Sequence, residues 1–346
     1  MYINFMNKEN KDIYVTYWLL LITILVAFMI VIGGLTRLTD SGLSITRWDL
    51  ISGILPPLSK YDWEKLFSLY KEIPEYKILN SSMTLLEFKT IFWWEYVHRL
   101  LGRIIGIFYL LPLIYFSFTN KFNKKKLVFF YFILILIVFQ GFIGWYMVQS
   151  GLVEKTDVSH YRLSIHLTLA FVIFVFLFWN LLDYKKIYIS NLNYKIPYFL
   201  PIFFLILIFI QISVGALVSG LDAGQIYNTW PLMNGDYFPD DEKVKNLFTF
   251  NSLDSASIVQ FIHRNIAYVI SFLFFIILIT VFINNNYKFF RKIVLINFIF
   301  LIVQFFLGIL TLLSGANIIL ASLHQIGSIF LVSASLILVY KNYKIN

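Results

Sequence analysis

The sequence predicts an all-α integral membrane protein whose eight transmembrane helices form two pseudo-symmetric four-helix bundles. Three observations carry this expectation. The 346 residues are 59% hydrophobic and only 14% charged, with a mean hydropathy of +0.77, whereas soluble domains carry roughly 25% charged residues. Eight apolar runs are long enough to cross a bilayer, which takes about 20 residues each. The runs also fall into two sets of four that share motifs at matching places, the mark of an internal repeat.

The spans lie near residues 15 to 35, 93 to 118, 127 to 148, 162 to 182, 196 to 218, 258 to 283, 293 to 313 and 318 to 340. An even number puts both termini on one side. The connecting segments on that side, with the termini, hold 14 Lys/Arg and 3 Asp/Glu, and those on the other side hold 10 Lys/Arg and 15 Asp/Glu. Basic loops stay in the cytoplasm, so both termini are expected there. The net charge of +9 is then a topology signal, and nucleic acid is excluded as a partner.

Cysteine is absent, which rules out disulfides, thiolate metal sites, iron–sulfur clusters and a cysteine nucleophile. Before the first span the chain lacks Arg and carries Glu9 and Asp12. That resembles neither a cleaved signal nor a transit peptide and favours a bacterial cell membrane.

The repeat is explicit in the residues. "QGFIGWYMVQSG" (140 to 151) in the third span matches "QFFLGILTLLSG" (304 to 315) in the seventh. "EYVHRLLGRIIG" in the second matches "QFIHRNIAYVIS" in the sixth, and "LSIHLTLAF" in the fourth matches "ASLHQIGSI" in the eighth. "GLSITRW" after the first span matches "GQIYNTW" after the fifth. Two halves in parallel orientation follow, about 1 to 190 and 191 to 346. Glycines such as Gly33, Gly144, Gly215 and Gly308 would let these helices approach closely.

Outside the loops only five charges remain: Glu95, Arg99, Arg103, Arg162 and Arg264. Each sits near a histidine at the outer end of an even-numbered span, and intramembrane charges mark function. Four of the five histidines, His98, His166, His263 and His324, lie on the second, fourth, sixth and eighth spans at one common depth. Two inward-facing histidines at one level of a four-helix bundle can hold a planar macrocycle by its axial positions. With two ligands per half, haem is favoured over a bare metal ion. The four arginines would then pair with haem propionates, which places the haem sites toward the outer face.

The halves differ at one informative position. Glu95 stands one helical turn before His98, where the other half has Gln260 before His263. An ionisable group beside one site only suggests proton handling or charge stabilisation there, unless Glu95 simply pairs with Arg99 four residues on. His160, six residues before His166, falls off the ligand face and reads as an interfacial residue. The long first outer segment, 36 to 92, shows a helix-like stretch at "YDWEKLFSLYKE" and could form a lid or docking surface, or a solvated connector.

These residues resemble the haem A synthase family, in its mitochondrial-like branch without an outer-loop cysteine pair. The likeness runs from "GGLTRLTDSGLSITRWDLISGILPPLS" through "YKEIPEYKILNSSMTLLEFKTIFWWEYVHRLLGRIIG" and "SGLDAGQIYNTWPLMNGDYFP" to "QFIHRNIAYVIS" and "SLHQIGS". The resemblance implies an oxidoreductase that converts haem O to haem A by successive hydroxylations of the C8 methyl group to a formyl group, for cytochrome oxidase. It implies a cofactor haem b on His263 and His324, a substrate haem on His98 and His166, and an essential glutamate at Glu95. A haem O synthase as donor and a membrane electron acceptor would be its partners. Two other classes stay open on the residues alone: a diheme b-type protein passing electrons from quinol, and a haem carrier.

Overall fold

The computed structural model describes residues 2–48, 52–153, 155–185, 194–197 and 199–344. Among them are eight helices long and apolar enough to cross a membrane, one for each expected span. In chain order, with two short helices between the first and second, they are α1 (Tyr2–Leu38), α2 (Lys60–Tyr70), α3 (Pro74–Ile78), α4 (Leu85–Phe118), α5 (Lys124–Gln149), α6 (His160–Tyr184), α7 (Phe199–Gly220), α8 (Ala256–Ile283), α9 (Arg291–Leu313) and α10 (Ile318–Lys344).

Polar residues just outside the apolar runs set where helices start. Thr84 and Glu87 form a reciprocal cap in which Glu87 Oε2 accepts from the Thr84 amide at 2.7 Å and Thr84 Oγ1 accepts from the Glu87 amide at 3.3 Å. This cap begins α4 at Leu85, eight residues before the apolar run expected from 93. Glu95 therefore lies well inside a helix and not at its opening. Asn123 and Ser255 start α5 and α8 in the simpler way, each accepting an amide hydrogen bond from the third residue on.

The chain divides into two compact units, Met1–Lys185 and Lys186–Asn346. The boundary expected between 190 and 191 falls within 186–193, outside the described residues. In the first unit α1 packs on α4 and α6, and α5 packs on the same two, closing a ring of four. In the second unit α7 packs on α8 and α10, and α9 packs on the same two. Polar tips of buried aromatics find backbone partners: the Trp18 indole donates to the Phe108 carbonyl at 3.0 Å and the Tyr109 hydroxyl to the Phe130 carbonyl at 2.8 Å.

The segment after α1 is a packed cap, not a solvated connector. Ser59 and Asp62 form a second reciprocal cap at the start of α2, and Pro74 occupies the first turn of α3, where its missing N–H costs nothing. Trp63, Phe67 and Tyr70 of α2, with Ile73, pack on Phe88, Phe92 and Tyr96 of α4, on Leu43 and on Val148 of α5. Burying that many aromatic rings fixes the cap against the end of the bundle where α4 begins and α5 ends.

Candidate functional site: histidine pairs across two bundles

His98 on α4 and His166 on α6 stand at opposite corners of the first ring, and His263 on α8 and His324 on α10 at opposite corners of the second. The His98 and His166 rings have centroids 6.5 Å apart with planes crossed at 75°. A metal ion bound at about 2 Å by one nitrogen of each ring would set the centroids roughly 6 Å apart. That pair is thus spaced for a group held on its axis between two imidazoles. Among the described residues no three His, Asp or Glu side chains gather as a metal site. Buried Nδ1 atoms of His166, His263 and His324 have no protein partner, which leaves each of these rings a nitrogen open to a ligand.

Each histidine is seated by a glycine of the odd-numbered span before it. A Cβ added at Gly144, Gly215 or Gly308 would lie 3.0–3.1 Å from Cε1 of His166, His263 or His324, and one at Gly33 would lie 3.2 Å from His98 Nε2. Only glycine lets the ring lie so close to the neighbouring helix. Four residues before three of these glycines stands a glutamine whose amide donates to the histidine's own backbone carbonyl: Gln140 to His166 at 3.0 Å, Gln211 to His263 at 3.0 Å and Gln304 to His324 at 2.6 Å. The sequence pattern showed Gln and Gly repeating in the third and seventh spans. The same Gln-x-x-x-Gly in "QISVG" (211 to 215) was the signal for the fifth, and Met29 takes the glutamine's place before Gly33 in the first.

Glu95 and Gln260, one turn before His98 and His263, bind equivalent loops in opposite senses. Glu95 is 2% exposed. Its Oε2 accepts from Ser44 Oγ and from the Ile45 amide, each at 2.7 Å. Its Oε1 accepts from Arg99 Nε at 3.0 Å and Nη2 at 2.5 Å. Arg99 goes on to the carbonyls of Ile45 at 2.8 Å and Arg47 at 3.0 Å and lies over the Trp48 ring. In the second unit Gln260, also 2% exposed, donates to the carbonyls of Ala223 at 2.9 Å and Tyr227 at 3.1 Å. Arg264 donates to those of Tyr227 and Thr229, both at 2.9 Å. Ile45 and Arg47 occupy the same places in "GLSITRW" that Tyr227 and Thr229 occupy in "GQIYNTW". The repeat therefore extends to individual hydrogen bonds, with one exchange: a carboxylate accepting an N–H in one half, an amide donating to C=O in the other.

Of the other arginines, Arg162 stacks on the Tyr146 ring with its guanidinium carbon 3.6 Å from the centroid and donates to the Tyr146 carbonyl at 2.6 Å. Arg103 is on α4 one turn beyond Arg99, and Arg264 keeps a buried Nε with no protein acceptor. His160 is the first residue of α6, half-buried, its ring against Tyr161.

Closed rings of membrane-spanning helices, each with histidines at opposite corners seated on glycine, define a multi-pass membrane protein with one histidine pair in each bundle. The chain belongs to the COX15-CtaA family, described as cytochrome oxidase assembly protein, whose pattern matches residues 16–336. It is 49% identical over 338 residues to a protein named heme A synthase from Pelagibacter ubique, covering 98% of this chain and 99% of that one. Proteins of the same name from Rickettsia bellii and Rickettsia felis are 44% and 42% identical over 322 residues, each covering 92% of this chain and 95% of theirs.

Proposed function

We infer that the chain is a haem A synthase, a membrane-bound oxidoreductase that converts haem O to haem A for cytochrome oxidase. The observation that carries this reading is a pair of histidine sites at matching places in the repeat, each histidine against a glycine, with an ionisable carboxylate beside only one. Names of relatives that match almost the whole chain support it.

In this reading the first unit takes substrate haem O between His98 and His166, and the second holds haem b between His263 and His324. Haem b, when bound, supplies one-electron redox chemistry that links substrate oxidation to an acceptor in the membrane. Oxidation of a ring methyl group releases protons at the ring edge, and Glu95 provides an oxygen to receive them. Its Oε2 accepts from the Ser44 hydroxyl at 2.7 Å, and that hydroxyl has a second acceptor in the Ile91 carbonyl at 3.4 Å, so by turning to it Ser44 frees Oε2 for an arriving proton. Arg99 holds the carboxylate in place at Oε1 and has four N–H bonds engaged. Arg103, Arg162 and Arg264 stand with Arg99 as the cations that would meet propionates. The charge asymmetry of the loops supports cytoplasmic termini in a bacterial cell membrane and haem sites toward the outer face.

The test is haem extracted from membranes of cells that make haem O, with and without this protein. Haem A is expected only with it. A folded, haem-loaded preparation that yields no haem A overturns the reading in favour of electron transfer between two permanent haems.

A further inference from the structure

We propose that His98 is the releasable ligand of the substrate site and His166 its anchor, the asymmetry being built into helix α1 by Met29. The proposal rests on the function just assigned, since it concerns the haem that must enter and leave.

Three of the four histidines share one seating. Their rings meet a glycine through Cε1, a glutamine amide four residues earlier bonds their backbone carbonyl, and their Nδ1 has no protein partner. The glutamine bond matters because it ties the histidine-bearing helix to its neighbour at the ligand's own residue, fixing depth and rotation together. His98 departs from this arrangement in two ways. Its ring turns a different edge, Nε2 followed by Cδ2, toward Gly33. The residue four before that glycine is Met29, whose thioether cannot donate a hydrogen bond and whose methyl group instead lies against Gly102 of α4, where an added Cβ would meet it at 3.2 Å. A flexible apolar contact replaces a directional one at this corner alone.

The distribution matches the traffic each site must carry. A resident cofactor is best served by two fixed ligands, and His263 and His324 both have the glutamine. A substrate gripped equally by two ligands would have to break both bonds to depart. With one fixed and one loose ligand, release proceeds in two smaller steps.

The experiment uses the purified full-length protein loaded with hemin and measures haem per chain and spin state by absorption and electron paramagnetic resonance. His98→Ala is expected to keep the wild-type stoichiometry with one haem turned high-spin, and His166→Ala to lose the haem of that site. Equal loss in both variants, or retention in His166→Ala, overturns the proposal. In unsubstituted protein reduced with dithionite, carbon monoxide is expected to bind at the first-unit haem by displacing His98; no binding there overturns it without any variant having to fold. Met29→Gln restores the missing donor and is expected to slow haem transfer to apomyoglobin roughly tenfold, the effect of one hydrogen bond; an unchanged rate counts against the assignment. If the double variant His98→Ala/His166→Ala leaves haem content and spectrum as in the unsubstituted protein, the first unit holds no haem, and the functional reading itself fails.

Discussion

Glu95 accepts a hydrogen bond of 2.7 Å from the Ile45 amide, so the carboxylate one turn from His98 also fastens the segment that leads into the cap. Site and cap share one side chain. Changes at Glu95 should therefore be read on two scales, chemical and structural.

Glu95→Ala removes the acceptor for Arg99, Ser44 and Ile45 at once. Taking one partner from a buried ion pair costs about 3–5 kcal/mol, so the first unit should melt earlier and the cap should become open to protease. Glu95→Gln keeps the shape and one acceptor oxygen. It should retain the cap and still lower haem A formation by roughly 10²–10⁴-fold, the contribution of a positioned proton acceptor. Haem bound by His263 and His324 should remain in both variants, checked by its absorption spectrum; its loss would make Glu95 purely structural.

Gln260→Glu is the reverse exchange, and it should not produce a second active site. The Gln260 amide faces two carbonyls, of Ala223 and Tyr227, which a carboxylate would repel. Lost hydrogen bonds and an unpaired buried acceptor cost about 1–3 kcal/mol each, so thermal stability of the second unit should fall. Differential scanning calorimetry with and without haem reads this directly.

Gly215→Ala and Gly144→Ala should each displace a histidine ring, because the new methyl group would stand 3.0 Å from His263 Cε1 or 3.1 Å from His166 Cε1. Overpacking of this kind costs roughly 1–3 kcal/mol and should appear as lower haem content at the affected site. Gly141→Ala, on the same helix as Gly144 but with open space around it, is the control and should leave haem content unchanged.

Glu75 gives the cap a pH dependence. It is 4% exposed on α3, and burial pushes its carboxyl up to about 8. The Tyr70 hydroxyl beside it works the other way, and the charges of Glu95, Asp157 and Asp40 add to the rise. Folding thus favours the protonated form. The cap's stability is full below the ordinary carboxyl value of 4.5 and falls as pH rises toward about 8. Hydrogen-exchange protection in residues 60–80, taken relative to the base-catalysed rate of an unprotected amide at the same pH, should fall over that interval, and Glu75→Gln should flatten the response. An equally steep response in Glu75→Gln would assign it to another group.

Hydropathy and charge placement determined the eight spans, because a bilayer demands about 20 apolar residues per helix whatever the protein does. Repeated positions of His98, His166, His263 and His324 likewise made the candidate site legible, since spacing along a helix fixes depth in the membrane. The residues that hold those histidines were less legible. Gly33 and Gly215 read as ordinary membrane glycines until the neighbouring ring was placed on them, and Met29 reads as any apolar residue. Partner choice is a property of which helices touch, and that is decided by packing. The same holds for Ser44 and Ile45, some 50 residues from Glu95 in the chain and bonded to it only because the segment after α1 folds back onto α4. The sequence by itself determined the membrane, the span count, the histidine set and the Glu95/Gln260 difference. Only the tertiary structure decided that Glu95 accepts from a backbone amide while Gln260 donates to backbone carbonyls, and that three histidines are pinned at their own carbonyls while His98 is not. Such distinctions rest on the directions of hydrogen bonds between segments distant in sequence, which no local pattern encodes.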